Sequence, residues 1–250
     1  YQTLGTSLAS FSMHHPVPIE LRMKGTTCVA LAHKDGVVVA TDGRATMGHM
    51  IGSDTFEKLF SVDRHSVVAF AGSAAMAQLF AKSLEAQLSF EQDCFELSYI
   101  PPKTKVNVLV QMVRQHAGAL MSLGGLVAIF STYDTDARDP KGRVFFVLGD
   151  GTQTPEGEFE CIGSGSHAAK PAISACLDMS GFPQHKGMTQ GLSEEMAQRF
   201  VVYGLRKAHE VDAATGGYIH MMLVRKDGVH KVSQDDIQVL IERARQGRMT

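Results

Sequence analysis

The chain lacks an excess of charge of either sign, a long apolar run and a paired-cysteine motif, and each absence removes a class of protein. Its 250 residues carry 24 Lys+Arg against 26 Asp+Glu, a formal net charge of −2, which speaks against the basic face of a nucleic-acid binder. No stretch approaches the ~18 consecutive apolar residues of a bilayer span. The segment before Arg22 holds no basic residue and no continuous apolar stretch, so no secretory signal is expected there. Cys28, Cys94, Cys161 and Cys176 show no CxxC spacing and read as reduced, mostly buried thiols of a cytoplasmic protein. The histidines form no HExxH, and no metal or cofactor is expected. Gly163-Ser164-Gly165-Ser166 lacks both a Walker lysine and dinucleotide spacing. Neither Ser164 nor Ser166 has glycines at −2 and +2, so the nucleophile elbow of α/β-hydrolases is absent as well.

What is present is ample material for one core, with 44% of residues apolar. Residues 1–25 stand apart: they hold three charged side chains (Glu20, Arg22, Lys24), and Pro16 and Pro18 favour an extended or mobile leader. From Thr27 the pattern changes. Thr27 to His33 and Val37 to Thr41 predict strands joined across Lys34-Asp35-Gly36, a hairpin signal, and Ser66 to Ala71 predicts another. Apolar residues at mostly helical spacing (Met76, Leu79, Phe80, Leu84, Leu88, Phe90) predict a helix over Ser73 to Gln92, and Lys103 to Leu123 a second after a Pro-Pro stop. Strands are predicted again over Leu126 to Thr132, Arg143 to Leu148 and Phe159 to Ile162. Helices come next over His167 to Met179 and Thr189 to His209, then a hairpin of Tyr218 to Val224 with Val229 to Val232, and a last helix over Asp235 to Arg245. Strands, helices, strands, helices, strands without a linker predict one α+β domain of two sheets between helical layers.

The chemistry-bearing residues recur at telling separations. Gly25-Thr26-Thr27 opens the first strand, Asp42 follows Thr26 by 16 residues in Asp42-Gly43-Arg44-Ala45-Thr46, and Lys58 follows by another 16. Gly72 ends a strand just before a helix. Ser164 and Asp212-Ala213-Ala214-Thr215-Gly216-Gly217 lie in later turns. This set resembles the proteasome β-type subunits, threonine proteases of the N-terminal-nucleophile hydrolase fold, from Thr26 to about residue 243. The resemblance implies a four-layer αββα sandwich, a leader of residues 1–25 and a single domain of residues 26–250. It places Thr26 on the nucleophile, Asp42 and Lys58 on its charged partners, and Gly72 on the oxyanion-hole glycine. Ser164, Asp212 and Thr215 fall on the polar groups behind the nucleophile. Thr215 departs from the serine many relatives carry but keeps the hydroxyl. Ala45, Phe70 and Ala74 fall on the pocket for the residue before the scissile bond, and Thr46 on contacts to substrate backbone. With no charge at the three pocket positions, cleavage after apolar residues is expected.

The chemistry is sensible on physical grounds. A threonine hydroxyl needs a base, and an α-amino group with a pKa of about 7.7–8.0 supplies one on the same residue once the leader is cut between Gly25 and Thr26. A nearby lysine stabilises developing negative charge, and a backbone oxyanion donor is worth about 3 kcal/mol. The resemblance also implies partners: further copies in a β ring, α-type subunits, indirectly an ATPase regulator, and unfolded polypeptide as substrate. Three alternatives compete. One is a self-assembling β-like ATP-dependent bacterial protease without α-type subunits. Another is a non-catalytic ring scaffold, and the third an amidase of the same fold acting on a small amide.

Overall fold

A strand reading Thr27-Cys28-Val29-Ala30-Leu31-Ala32-His33 has no polar face and must be covered on both sides. The computed structural model, which describes residues 23–47, 50–122, 125–135, 138 and 140–245, supplies both covers. The first half runs β1 (Met23–Lys24), β2 (Thr27–His33), β3 (Gly36–Asp42), β4 (Ala45–Met47), β5 (Met50–Ser53), β6 (Leu59–Asp63), β7 (Ser66–Gly72), α1 (Ala74–Cys94), α2 (Pro102–Gln115) and α3 (Ala117–Ser122). The second runs β8 (Leu126–Asp134), β9 (Lys141–Val147), β10 (Phe159–Gly163), α4 (Ser166–Met179), α5 (Met188–Gly191), α6 (Glu194–Val211), β11 (Ile219–Arg225), β12 (Gly228–Lys231) and α7 (Gln234–Arg245). One sheet has the order β10-β2-β3-β11-β12, a second β6-β7-β8-β9, and a small third β1-β4-β5. Every strand pairing among the described residues is antiparallel, so the fold is α+β.

The two-residue period of the strands sorts their side chains into separate apolar clusters. Val29 and Leu31 of β2 join Ile173 of α4, Phe200 and Leu205 of α6 and Ile237 of α7. Val68 and Phe70 of β7 join Phe80 and Leu84 of α1 and Leu109 of α2. The alternate residues, Cys28, Ala30 and Ala32 of β2 with Val67, Ala69 and Ala71 of β7, meet in a third cluster made of strand residues from both large sheets. Three cysteines are buried in this way and Cys94 is exposed. No described helix is long and apolar enough to cross a membrane.

Several elements depart from expectation. The helix expected over Lys103 to Leu123 divides at His116 into α2 and α3, and Pro102 is the first helical residue rather than a stop. The helix expected over Thr189 to His209 divides into α5 and α6 because Ser193 caps the second piece, its Oγ accepting the Met196 N–H at 3.3 Å. Leu79 and Phe90 of α1 are exposed, whereas Met76, Phe80, Leu84 and Leu88 form the buried face. The short strands β1, β4 and β5 were not anticipated, and β1 falls within the expected leader, whose residues 1–22, including His14 and His15, lie outside the described residues.

One buried group makes the fold sensitive to acid. His33 on β2 is fully buried, its Nδ1 accepts the Asp35 N–H at 3.2 Å, and its Nε2 lies 3.8 Å from Glu194. Burial pushes the imidazole down from 6.5 to about 4, against the pull of the Glu194 carboxylate. The unfolded chain therefore takes up this proton first as pH falls. The stabilisation is complete above about 6.5 and is lost toward 4, a difference of up to about 3 kcal/mol. In urea titrations at about pH 7.5 and about pH 4.5, the wild type is expected to lose roughly 2–3 kcal/mol more stability than His33→Gln. Equal acid losses in the two proteins would remove His33 as the source.

Candidate active site

Antiparallel register brings the chemistry to one end of the strands. Gly163, the last residue of β10, pairs with Thr27, the first of β2, while Asp42, the last of β3, pairs with Ile219, the first of β11. Thr26 therefore enters the sheet where β3 and β10 end, and β7 delivers Gly72 opposite Leu126 in the facing sheet. Thr26, Asp42 and Lys58 are all buried.

The Asp42 carboxylate is saturated. Its Oδ1 accepts the Thr27 N–H at 2.7 Å and Lys58 Nζ at 3.0 Å, and its Oδ2 accepts the N–H groups of Arg44 and Gly216, each at 3.1 Å. Lys58 Nζ donates to three acceptors: Asp42, the Arg44 carbonyl at 2.5 Å and the Gly25 carbonyl at 3.2 Å. The Asp42–Lys58 pair is thus a buried one with its hydrogen bonds filled, unlike an exposed surface pair. The Thr26 hydroxyl donates to the same Gly25 carbonyl at 2.5 Å.

A second carboxylate network stands on the nitrogen side. Thr26 N–H donates to Ser164 Oγ at 3.4 Å, and Ser164 Oγ donates to Asp212 Oδ2 at 2.6 Å. Thr215 Oγ1 donates to the same oxygen at 2.7 Å, so in its 2.8 Å contact with Thr27 Oγ1 it is the Thr27 hydroxyl that donates. The Ala214 N–H donates to Asp212 Oδ1 at 3.0 Å. Partial burial pulls the Asp212 carboxyl up, but hydrogen bonds from Ser164, Thr215 and Ala214 outweigh it and hold the group below the usual carboxylate range.

A narrow cleft opens beside Thr26, lined also by Gly25, Ala45, Phe56, Lys58, Phe70, Gly72, Ala74 and Ala77. Ala45, Phe70 and Ala74 thus share one cleft with Thr26. Thr46 does not line the cleft; it sits on β4 opposite Lys24 of β1, so the chain just before Thr26 runs as an added antiparallel strand along β4. Sequence reasoning did not assign Phe56, Thr27 or Arg44 a role in the site, and it took Ala77, with Ala74 and Ala75, for a close-packing face. Arg44 Nε donates to Asp54 Oδ1 at 2.8 Å and Nη1 to the Ala213 carbonyl at 3.1 Å. The motif Asp42-Gly43-Arg44 was the one available signal for Arg44. Phe56 stands two residues before Lys58 with no periodicity to mark it.

Fold and site together define a class, the α+β fold of N-terminal-nucleophile hydrolases. A family model described as "Proteasome subunit" matches residues 23–224, and the chain belongs to that family. Among its relatives, the protein named "Proteasome subunit beta" of Acidothermus cellulolyticus is 33% identical over 236 residues, covering 90% of this chain and 77% of the relative. A protein of the same name from Frankia casuarinae is 31% identical over 233 residues, 90% of this chain and 80% of the relative. The one from Streptomyces griseus is 36% identical over 194 residues, 77% of this chain and 64% of the relative.

Gly163 fixes how closely β10 approaches Thr26. It has φ +96°, and a Cβ there would lie 1.9 Å from the Thr26 carbonyl oxygen. Gly181 has φ +87° with nothing within 4 Å of such an atom. Gly163→Ala is expected to destabilise by roughly 2–4 kcal/mol and Gly181→Ala by about 1 kcal/mol, read as unfolding free energies in denaturant. Equal costs would mean that the approach to Thr26 carries no steric constraint.

Proposed function

We propose that this chain is the catalytic β subunit of a 20S proteasome, a threonine endopeptidase that frees Thr26 by its own action and then hydrolyses peptide bonds of unfolded proteins. The observation that carries the reading is that Thr26 stands between two carboxylate-anchored networks. Lys58, held by Asp42, reaches the carbonyl that its hydroxyl touches, and Ser164, bonded to Asp212, accepts from its nitrogen. The relatives named "Proteasome subunit beta" favour this over the self-assembling protease, and the presence of Thr26, Asp42, Lys58 and Asp212 in one set of hydrogen-bonded networks favours it over the scaffold.

In the uncut chain the Thr26 hydroxyl attacks the Gly25 carbonyl carbon, and the peptide bond passes into an ester with release of the Thr26 amine. Water then hydrolyses the ester, freeing the hydroxyl and leaving a carboxylate on Gly25. In turnover the free amine removes the hydroxyl proton, and the alkoxide attacks the substrate carbonyl beside the positive charge of Lys58. The backbone N–H of Gly72 is the oxyanion donor. The amine returns its proton to the leaving nitrogen, and water releases the acyl group. Ser164, Asp212 and Thr215 hold the amine. Ala45, Phe70 and Ala74 receive an apolar side chain, and Thr46 contacts substrate main chain, a role supported by the pairing of β1 with β4.

Residues 1–25 are then the leader, and residues 26–250 form a single domain. The three apolar clusters support its arrangement as four layers, helix–sheet–sheet–helix. The assembled protein is a cytoplasmic β ring with α-type subunits, served by an ATPase.

Two measurements test this. Intact mass of the assembled protein is expected to show loss of residues 1–25 in the wild type and their retention in Thr26→Ala. Peptide hydrolysis is expected to fall by at least about 10³-fold in Thr26→Ala and about 10²-fold in Lys58→Ala. Leader loss or peptide hydrolysis that persists in Thr26→Ala would overturn the reading. Gly25 has φ +104°, and a Cβ there would lie 2.3 Å from the Ala214 carbonyl oxygen. Gly25→Ala is therefore expected to slow leader release roughly 10- to 100-fold in a time course by mass, because the scissile carbonyl is displaced from Lys58. An unchanged rate would mean that the geometry at residue 25 does not govern cleavage.

A further inference from the structure

The two networks around Thr26 sit on separate segments, and something must set the distance between them. Besides the Asp42–Gly216 bond, Arg44 joins the segments of Asp42 and Lys58 to the loop that carries Asp212. Its main chain serves the charged pair: the N–H donates to Asp42 Oδ2 at 3.1 Å, and the carbonyl accepts from Lys58 Nζ at 2.5 Å. Its side chain serves the neighbours. Nη1 donates at 3.1 Å to the carbonyl of Ala213, the residue next to Asp212, and Nε donates at 2.8 Å to Asp54 Oδ1. The guanidinium also lies against Gly216, where a Cβ would come within 2.6–2.9 Å of its Cζ, Nη1 and Nε.

Asp54 belongs to the segment that leads through Phe56 to Lys58, and that segment is stitched to the same place by main-chain bonds. Phe56 N–H donates to the Gly43 carbonyl at 2.8 Å, and Tyr218 N–H to the Asp54 carbonyl at 2.9 Å. The guanidinium fork therefore holds two acceptors, one beside the lysine segment and one beside the amine-holding loop, at a fixed separation. Asp54 is half-exposed and Arg44 partly so, so Coulomb attraction between them adds little stability. What the pair supplies is geometry.

We propose that Arg44 and Asp54 form a positioning pair that holds the Lys58–Asp42 side of the site in register with the Asp212–Ser164 side. This rests on the reading of Thr26 as nucleophile and adds to it a determinant of catalytic rate outside the reacting atoms. Neither residue lines the cleft, so the pair acts on kcat and leaves substrate affinity alone. Its loss lets the Asp212–Ser164 side draw back from the freed amine. With its carboxylate further away, the amine is a weaker base, so the acid limb of the rate profile moves to lower pH.

The test uses assembled, leader-free protein carrying Arg44→Gln, Arg44→Lys, Asp54→Asn and the double change Arg44→Gln with Asp54→Asn, assayed on a peptide with an apolar residue before the scissile bond. Arg44→Gln is expected to lower kcat roughly 30- to 100-fold with KM within about twofold, and to move the acid limb down. Arg44→Lys is expected to stay low, because an ammonium cannot span both acceptors. Asp54→Asn, at a half-exposed position that leaves the Ala213 contact in place, is expected to lower kcat about tenfold with an unchanged unfolding midpoint. The double change is expected to be no worse than Arg44→Gln alone, the mark of two residues acting as one. Unchanged kcat in Arg44→Gln, a rise in KM alone, or independent losses that multiply in the double change would each overturn the pair. Hydrolysis abolished by Thr26→Ala but retained by Arg44→Gln and Asp54→Asn overturns the pair alone. Hydrolysis that survives Thr26→Ala overturns the nucleophile reading and the pair together.

Discussion

A single buried carboxylate organises this molecule. Withdrawing Asp42 from water costs several kcal/mol, and the cost is offset only if its lone pairs are filled. The four donors come from four places: the start of β2, the turn after β3, the segment before β6, and the turn before β11. Losing any one leaves a desolvated charge short of a partner. Strand register, two turns and a buried lysine are therefore tied to one another through a group that occupies the end of a single strand. The same residue also closes the β3–β11 ladder opposite Ile219.

The cores around this point differ in texture for a geometric reason. Between the large sheets the contributions of β2 and β7 are small: Cys28, Ala30 and Ala32 against Val67, Ala69 and Ala71. On the helix sides the same strands present Leu31 and Phe70 to Phe200, Phe80 and Leu84. Small residues let one sheet lie close over the other, and large ones fill the wider gap beneath a helix. Gly72 and Thr26 come from different sheets, so that close spacing is what allows both to line one cleft.

Much of this was legible in the residues. The apolar runs of β2 and β3 with Asp35-Gly36 between them predicted a hairpin, whereas the spacing from Thr26 through Asp42 to Lys58 took its meaning from the family resemblance, with Gly72, Ser164 and the Asp212 motif beside it. Less visible were features set by context. A strand of two or three residues such as β1 or β4 has no period to detect, and its pairing is decided by where the neighbouring chain runs. The break at Ser193 did carry a local signal, Gly191 before it and Glu194-Glu195 after it, which the run of helical periodicity outweighed. Leu79 and Phe90 share apolar character with the buried face of α1 but lie off its stripe, which spacing that is only mostly helical did not resolve. Phe56 and Arg44 matter through what they touch across the fold, a property no local pattern encodes.

The proposed cleavage after Gly25 would change the surroundings of Lys58. An ammonium carries three protons, and in the uncut chain all three find acceptors: a carboxylate, the Arg44 carbonyl and the carbonyl of Gly25. Two of these belong to residues after Thr26; the third would depart in the proposed cleavage. Removal of Gly25 would thus vacate one valence of a buried cation, beside the Thr26 hydroxyl that shares that acceptor. The precursor would then be wired as a placeholder, its last residue keeping that proton occupied until a substrate carbonyl or the threonine oxygen itself takes over.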